Sequence, residues 1–187
     1  MTARLVYFMG PSGAGKDSLL DWLRAHLPAA RALHWARRTI SRVATPGAEA
    51  HESVSPEAFA ALLHAQAFAL HWQANGLGYG VRHAQLDPLA AGQWVLLNGS
   101  RAHLPAALVR FPHLLAVHVS ASPERLRERL LARGRETPDA VEDRVQRALQ
   151  CRPPAGSASI ELHNDGSLDD VGQRLLSALR QYPGWPG

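Results

Sequence analysis

An α/β fold, with a parallel sheet held between layers of helix, is what this 187-residue chain predicts. Two observations carry that expectation. Short apolar runs that suit buried parallel strands alternate with stretches of helical periodicity. The first of those runs also passes through a glycine-rich turn directly into the first helical stretch.

In chain order, residues 5–9 read as a buried strand and 16–26 as a helix with Leu19, Leu20 and Leu23 on one face. Residues 32–36 suit a second strand, and 94–97 and 114–119 suit central strands. Residues 123–133 and 138–149 read as helices, each with proline in its first turn. A short strand at 159–162 precedes a closing helix at 168–179, stopped by Pro183 and the Gly184-Trp185-Pro186-Gly187 tail. Residues 40–92 break the alternation. They hold a turn-rich stretch (Thr45, Pro46, Gly47), a short helix at 56–64 and the segment Gly76-Leu77-Gly78-Tyr79-Gly80. The prediction is one domain over 1–187: a core of 1–39 and 93–187, an insertion of about 40–92 that binds a second ligand, and a lid at about 134–138.

Bulk composition narrows the function. Hydrophobic residues make up 46% and charged residues 19%, which supports a packed core and argues against disorder. No apolar run approaches the ~18 residues of a membrane span, and the N-terminus lacks a signal-peptide layout. The single cysteine, Cys151, forms neither an internal disulfide nor a CxxC zinc site, so a reducing cytoplasm is expected. A net charge of +4 and a pI near 10.0 suit an anionic ligand. Nearly all the basic charge is arginine, and the only lysine is Lys16.

That lysine sits in Gly10-Pro11-Ser12-Gly13-Ala14-Gly15-Lys16-Asp17, between a predicted strand and a predicted helix, the context of a phosphate-binding P-loop. Glycines let the backbone curl so that its N–H groups face phosphate oxygens, the helix N-terminus adds its dipole, and lysine reaches the β- and γ-phosphates. Ser or Thr usually follows the lysine and helps hold Mg²⁺. Here Asp17 stands there, with Ser18 next. Two readings of Asp17 stay open: a hard oxygen ligand for Mg²⁺, or an acidic residue suited to the first turn of a helix.

Arg125, Arg129 and Arg133 recur every fourth residue, Arg135 follows Gly134, and Arg144 lies on the next helix. Such arginines stabilise the charge spread over a transferring phosphoryl group. The alternative is a solvated face paired with Glu124, Glu128 and Glu136, and Arg125 fits that better. No HExxH metal spacing or GxSxG nucleophile elbow is present. Arg37, Arg38 and Arg42 near Trp35 form one basic cluster without an aromatic series, weak support for nucleic-acid binding.

Taken together, these residues resemble the guanylate-kinase group of P-loop kinases along nearly the whole chain. The likeness is carried by Gly10-Pro11-Ser12-Gly13, Arg129-Leu130, Arg133-Gly134, Arg144 and Asn164-Asp165. It implies a three-layer P-loop kinase with an acceptor-binding insertion and a lid, and ATP and Mg²⁺ as cofactors. It gives Arg129, Arg133 and Arg144 contacts to the transferring phosphates, and Asn164 a contact to adenine. Arg42 and Tyr79 match the pair that grips the acceptor phosphate, but a second arginine of that site falls at Thr45. The guanine-reading glutamate falls at Leu70, a serine falls at Val81, and the acidic end of the next strand is replaced by Asn98-Gly99-Ser100-Arg101.

Several stretches instead resemble the ribose 1,5-bisphosphate phosphokinases of phosphonate catabolism. They are Gly15-Lys16-Asp17-Ser18-Leu19-Leu20, Glu49-Ala50-His51, residues 68–73, Gly76-Leu77-Gly78-Tyr79-Gly80 and Asn98-Gly99-Ser100-Arg101. One departure is Ala48, where a second glycine is expected. This resemblance implies transfer of the ATP γ-phosphoryl group to a phosphorylated sugar, without a nucleic-acid or membrane partner. Arg42, Tyr79 and Arg101 would hold the acceptor phosphates, and Glu49, His51, Gln73, Asn98 and Ser100 its hydroxyls. The rivals are a nucleoside-monophosphate kinase and a non-catalytic binding module of the same fold.

Overall fold

The structure, a computed structural model, describes residues 4–27, 32–42, 51–134, 137–149 and 159–187. Five strands form the core sheet: β1 (Leu5–Met9), β2 (Leu33–Ala36), β7 (Trp94–Asn98), β8 (Leu115–Ser120) and β9 (Ser159–His163). They lie in the order β2-β7-β1-β8-β9, and every pairing is parallel. β1 is therefore central, and the chain leaving its carboxyl end emerges where the strand order reverses, the usual ligand crevice of an open parallel sheet.

Side-chain alternation along β1 builds the layers. Val6 and Phe8 enter a cluster with Leu19, Trp22 and Leu23 of α1 (Lys16–His26) and Leu175, Leu176 and Leu179 of α6 (Leu168–Leu179). Leu5, Tyr7 and Met9 enter a second cluster with Leu104 and Ala107 of α3 (Leu104–Arg110). Each of these fully buried large apolar side chains contributes about 1.5–3 kcal/mol. The first cluster also takes Leu126 and Leu130 from α4 (Pro123–Ala132) and Val141 and Val145 from α5 (Pro138–Leu149). Serine caps start α4 and α6: Ser122 Oγ accepts from Arg125 N, and Ser167 Oγ from Asp170 N. The Trp94 indole donates to Gly184 O at 2.7 Å and meets the Trp185 ring edge-on, so the tail seals the sheet's far end.

The interrupting stretch contains a second sheet. β3 (Thr39–Ile40), β4 (Glu52–Ser53), β5 (Phe68–Ala74) and β6 (Leu77–Arg82) lie in the order β4-β3-β6-β5, mostly antiparallel, with α2 (Pro56–His64) between β4 and β5. Ser55 Oγ caps α2 by accepting from Ala58 N. Asn75 and Gly76, both at positive φ, close the β5–β6 hairpin. The glycine-rich segment thus forms β6, a strand rather than a loop. At Gly78 a Cβ would lie 2.6 Å from the Phe59 ring, so only glycine lets that ring pack flat on the strand. Leu70, Trp72 and Val81 carry this sheet into the second core cluster. Arg82 and Glu52 join its strands through a two-pronged ion pair. Helix α3 adds an element that the sequence reading did not place.

Candidate active site

The loop after β1 is held from several sides. Gly15, at φ 90, ends it in the left-handed conformation that starts α1, a backbone state that disfavours any side chain. Ala14 is fully buried, and its carbonyl accepts from Asn164 Nδ2 at 2.7 Å. Arg129 Nη1 donates to Gly13 O at 3.3 Å and its Nη2 to Asn164 O at 2.9 Å. Arg129 and Asn164 therefore brace the loop from behind. Lys16 Nζ curls over the same loop, donating to Gly10 O at 2.9 Å and Pro11 O at 3.0 Å.

A cleft of about 1020 Å³ opens between this loop and the second sheet. Among the described residues its lining includes seven cations, Lys16, Arg38, Arg42, Arg101, Arg133, Arg144 and Arg147, against two acids, Asp17 and Asp21. Both acids lie on α1, and among the described residues the wall formed by the second sheet contributes no carboxylate to the lining. Gly10, Pro11, Ser12, Gly13, Gly15, Ser18, Tyr79, Asn98 and Ser100 complete the set of sequence-selected residues that face the cleft.

At the end of β7, Asn98 is 3% exposed; its Nδ2 donates to Asp17 Oδ1, and its own Oδ1 is buried without a hydrogen-bond partner. The carboxylate and the unpartnered amide oxygen form an oxygen-rich corner next to Lys16 in the chain. That donor set suits Mg²⁺ and its waters, just as the curled loop and Lys16 suit a triphosphate.

The neighbouring turn, Gly99–Ser100, rests on Tyr7. The Tyr7 hydroxyl donates to Ser100 O at 3.0 Å and accepts from Ser100 N at 2.9 Å. Burial pushes this phenol up to about 12, with the Ser100 hydrogen bond and the charge of Arg38 opposing the rise. Arg101 turns its guanidinium onto the last carbonyls of α5, Ala148 O at 3.3 Å and Arg147 O at 3.4 Å.

The opposite wall is aromatic. Trp72 stacks on Tyr79 with centroids 5.6 Å apart and planes within 2°, and also stacks with His103 at 5.3 Å. Burial, then the nearby charge of His71, holds His103 below the usual imidazole value. The Arg38 guanidinium sits 5.4 Å over the Tyr79 ring. Arg42 Nε donates to His51 Nε2 at 3.2 Å, and Ser53 Oγ lies 2.9 Å from the same nitrogen. His51 thus fixes Arg42 and does not itself line the cleft. Gln73 is exposed on β5 away from the cleft, and Glu49 lies outside the described residues. Leu70 is 4% exposed and packs in the core, so the position aligned with a base-reading acid does not face the cleft.

Sequence reasoning passed over Tyr7, Arg38, Trp72 and Arg147. Tyr7 is hidden in a continuous apolar run, and Arg38 was grouped with its exposed neighbour Arg37. A strand-period reading of residues 38–42 would have found Arg38.

No protein-family model matches the chain. Curated relatives do. A ribose 1,5-bisphosphate phosphokinase PhnN of Burkholderia mallei is 46% identical over 177 residues, covering 94% of this chain and 95% of the relative. One of Pseudomonas paraeruginosa is 47% identical over 180 residues, covering 96% of each. Another, of Janthinobacterium sp., is 44% identical over 96% of this chain but only 40% of its own length. Among solved structures, a guanylate kinase from Anaplasma phagocytophilum superposes with a TM-score of 0.71 at 17% identity, covering 96% of this chain and 86% of that one. A sugar kinase from Janibacter sp. gives a TM-score of 0.57 at 17% identity, covering 99% of both chains. The structural likeness shows the guanylate-kinase-like P-loop fold, and the full-length sequence identity places this chain in the ribose 1,5-bisphosphate phosphokinase family.

Proposed function

We propose that this chain transfers the γ-phosphoryl group of ATP to the 1-phosphate of ribose 1,5-bisphosphate, giving 5-phosphoribosyl 1-diphosphate and ADP. The observation that carries the acceptor choice is the charge pattern of the cleft: among the described residues, seven cations line it against two acids, both on α1. Pairing with the N–H edge of guanine calls for a carboxylate, and a site that lacks one there discriminates poorly for that base. A sugar carrying two phosphates instead needs cations and hydroxyl partners, and the cleft offers Arg38, Arg42 and Tyr79 from the second sheet's side and Ser100 from the turn after β7.

The reacting atom is an oxygen of the 1-phosphate, already anionic near neutral pH, so the residues need not remove a proton. That oxygen forms the new bond to the γ-phosphorus as the bond to the β,γ-bridging oxygen breaks, and ADP departs. Lys16, with Arg133 and Arg144 from either side of the lid, neutralises charge on the transferring group. Arg129 acts by bracing the loop that carries Lys16. Asp17 would hold Mg²⁺, which would supply further positive charge to the phosphates. The second sheet is the acceptor-binding insertion, and the lid assigned to about 134–138 falls partly outside the described residues. No helix among the described residues is long and apolar enough to cross a membrane. This fits the proposal of a cytoplasmic enzyme with a small-molecule substrate.

The test is steady-state ADP release with ATP, Mg²⁺ and an acceptor panel, products being identified by ³¹P NMR. Ribose 1,5-bisphosphate should be converted to the diphosphate, while GMP and AMP react poorly. Lys16→Ala should lower turnover by ~100-fold or more, the scale of losing one preorganised charge. Efficient GMP turnover without a diphosphate sugar would restore the nucleotide-kinase reading. Unchanged activity in the Lys16 variant would remove the kinase mechanism.

A further inference from the structure

We propose that Arg147, on α5, binds the reacting 1-phosphate of the acceptor beside the transferring group; this rests on the acceptor assignment above. Val141 and Val145 turn one side of α5 into the first core cluster. Glu142 takes the flank toward α4, where it accepts both prongs of Arg127 and a hydrogen bond from Gln146. Arg144, Arg147 and Ala148 take the flank toward the cleft and line it. At a spacing of three residues the two arginines are neighbours on one helix face, about 4.5 Å apart along the axis.

The Arg147 guanidinium is anchored by its inner nitrogen. Nε donates to Asp143 O at 3.1 Å, one turn back. An acid four residues before an arginine is placed for an ion pair, yet among the described residues Arg147 forms none, and its two outer nitrogens make no hydrogen bond. Those two nitrogens are the edge that takes two oxygens of one phosphate. The backbone of the same turn is tied to the core by Arg101, which donates to Arg147 O and Ala148 O. The tie brings the turn after β7, with Ser100, against the Arg147 end of α5, while Arg144 lies nearer the start of the helix at Pro138. Arg147 therefore stands on the acceptor side of Arg144. In-line transfer needs the reacting atoms about 3–3.5 Å apart. A group that holds the acceptor phosphate must then stand close to one that holds the γ-phosphoryl group. Two anions repel as they meet there, and a cation held opposite their junction lowers that repulsion. A cation in the last turn also suits the dipole of α5, and the experiment separates the two roles.

The experiment measures inhibition constants of ribose 1-phosphate and ribose 5-phosphate against ribose 1,5-bisphosphate, with the KM for ATP and the melting temperature, in wild type, Arg147→Ala and Arg147→Lys. Arg147→Ala should weaken ribose 1-phosphate by about 10- to 100-fold, the range for losing hydrogen bonds to a charged group. Ribose 5-phosphate and the KM for ATP should stay near wild type. Arg147→Lys, which keeps charge but not the two-pronged fork, should fall between. Equal weakening of both monophosphates overturns the assignment. So does an unchanged ribose 1-phosphate constant, which with a lowered melting temperature leaves Arg147 as a dipole partner of α5. If wild type forms no diphosphate from ribose 1,5-bisphosphate, the acceptor assignment itself is what fails.

Discussion

The side-chain amide of Asn98, at the end of β7, donates a hydrogen bond to the carboxylate of Asp17, one residue past the loop lysine. The contact spans 81 positions of sequence and ties the start of α1, just past the glycine-rich loop, to the strand end that lines the cleft.

Asp17 is the first consequence. Asp17→Asn keeps an oxygen that accepts from Asn98 while removing the negative charge. If that charge holds the metal, the Mg²⁺ concentration at half-maximal rate should rise by about 10- to 100-fold, the range seen when groups supporting a metal site are altered. Titrating Mg²⁺ against initial rate measures it. An unchanged requirement with a loss of about 0.3–1 kcal/mol in stability would assign the carboxylate to the dipole of α1 instead.

Arg101 links the turn after β7 to α5, the helix that carries Arg144 and Arg147. Arg101→Ala should raise the acceptor KM several-fold more than the KM for ATP if this guanidinium swings onto the acceptor when it binds, since a bidentate phosphate contact is then lost. Equal rises in both constants, with reduced hydrogen-exchange protection of α5, would make it a tether of that helix only.

Tyr7 predicts an alkaline limit. Burial raises its pKa from 10.0 to about 12, so the folded state binds this proton more tightly than the unfolded chain does. Its contribution is therefore complete below pH 10.0 and is lost as pH rises from there to about 12. Melting temperature should fall more steeply over that interval in wild type than in Tyr7→Phe. The variant should also be about 1 kcal/mol less stable at neutral pH, having lost the Ser100 hydrogen bonds. Parallel slopes in the two proteins would exclude the phenol as the source.

How much of this was legible beforehand differs by element. The core strands, α1 and α6 follow from apolar runs and helical periodicity, because each buries one face and its pattern is local. The loop from Gly10 to Lys16 is contiguous, so its chemistry is written in seven adjacent residues. β6 is not legible in this way. Glycine weakens an isolated strand, and Gly78 reads as loop until the Phe59 ring that needs its space is brought over it.

By itself, then, the sequence determined the parallel core, the glycine-rich loop with its lone lysine, and the arginines of α4 and α5. Tertiary structure decided which groups share the cleft. It set Arg38 beside Tyr79, turned Leu70 into the core, joined Asn98 to Asp17 and placed Arg129 behind the loop rather than in the cleft lining. The physical reason is that periodicity reports which face of an element is buried, whereas partners from distant strands are fixed only when the second sheet packs on the first.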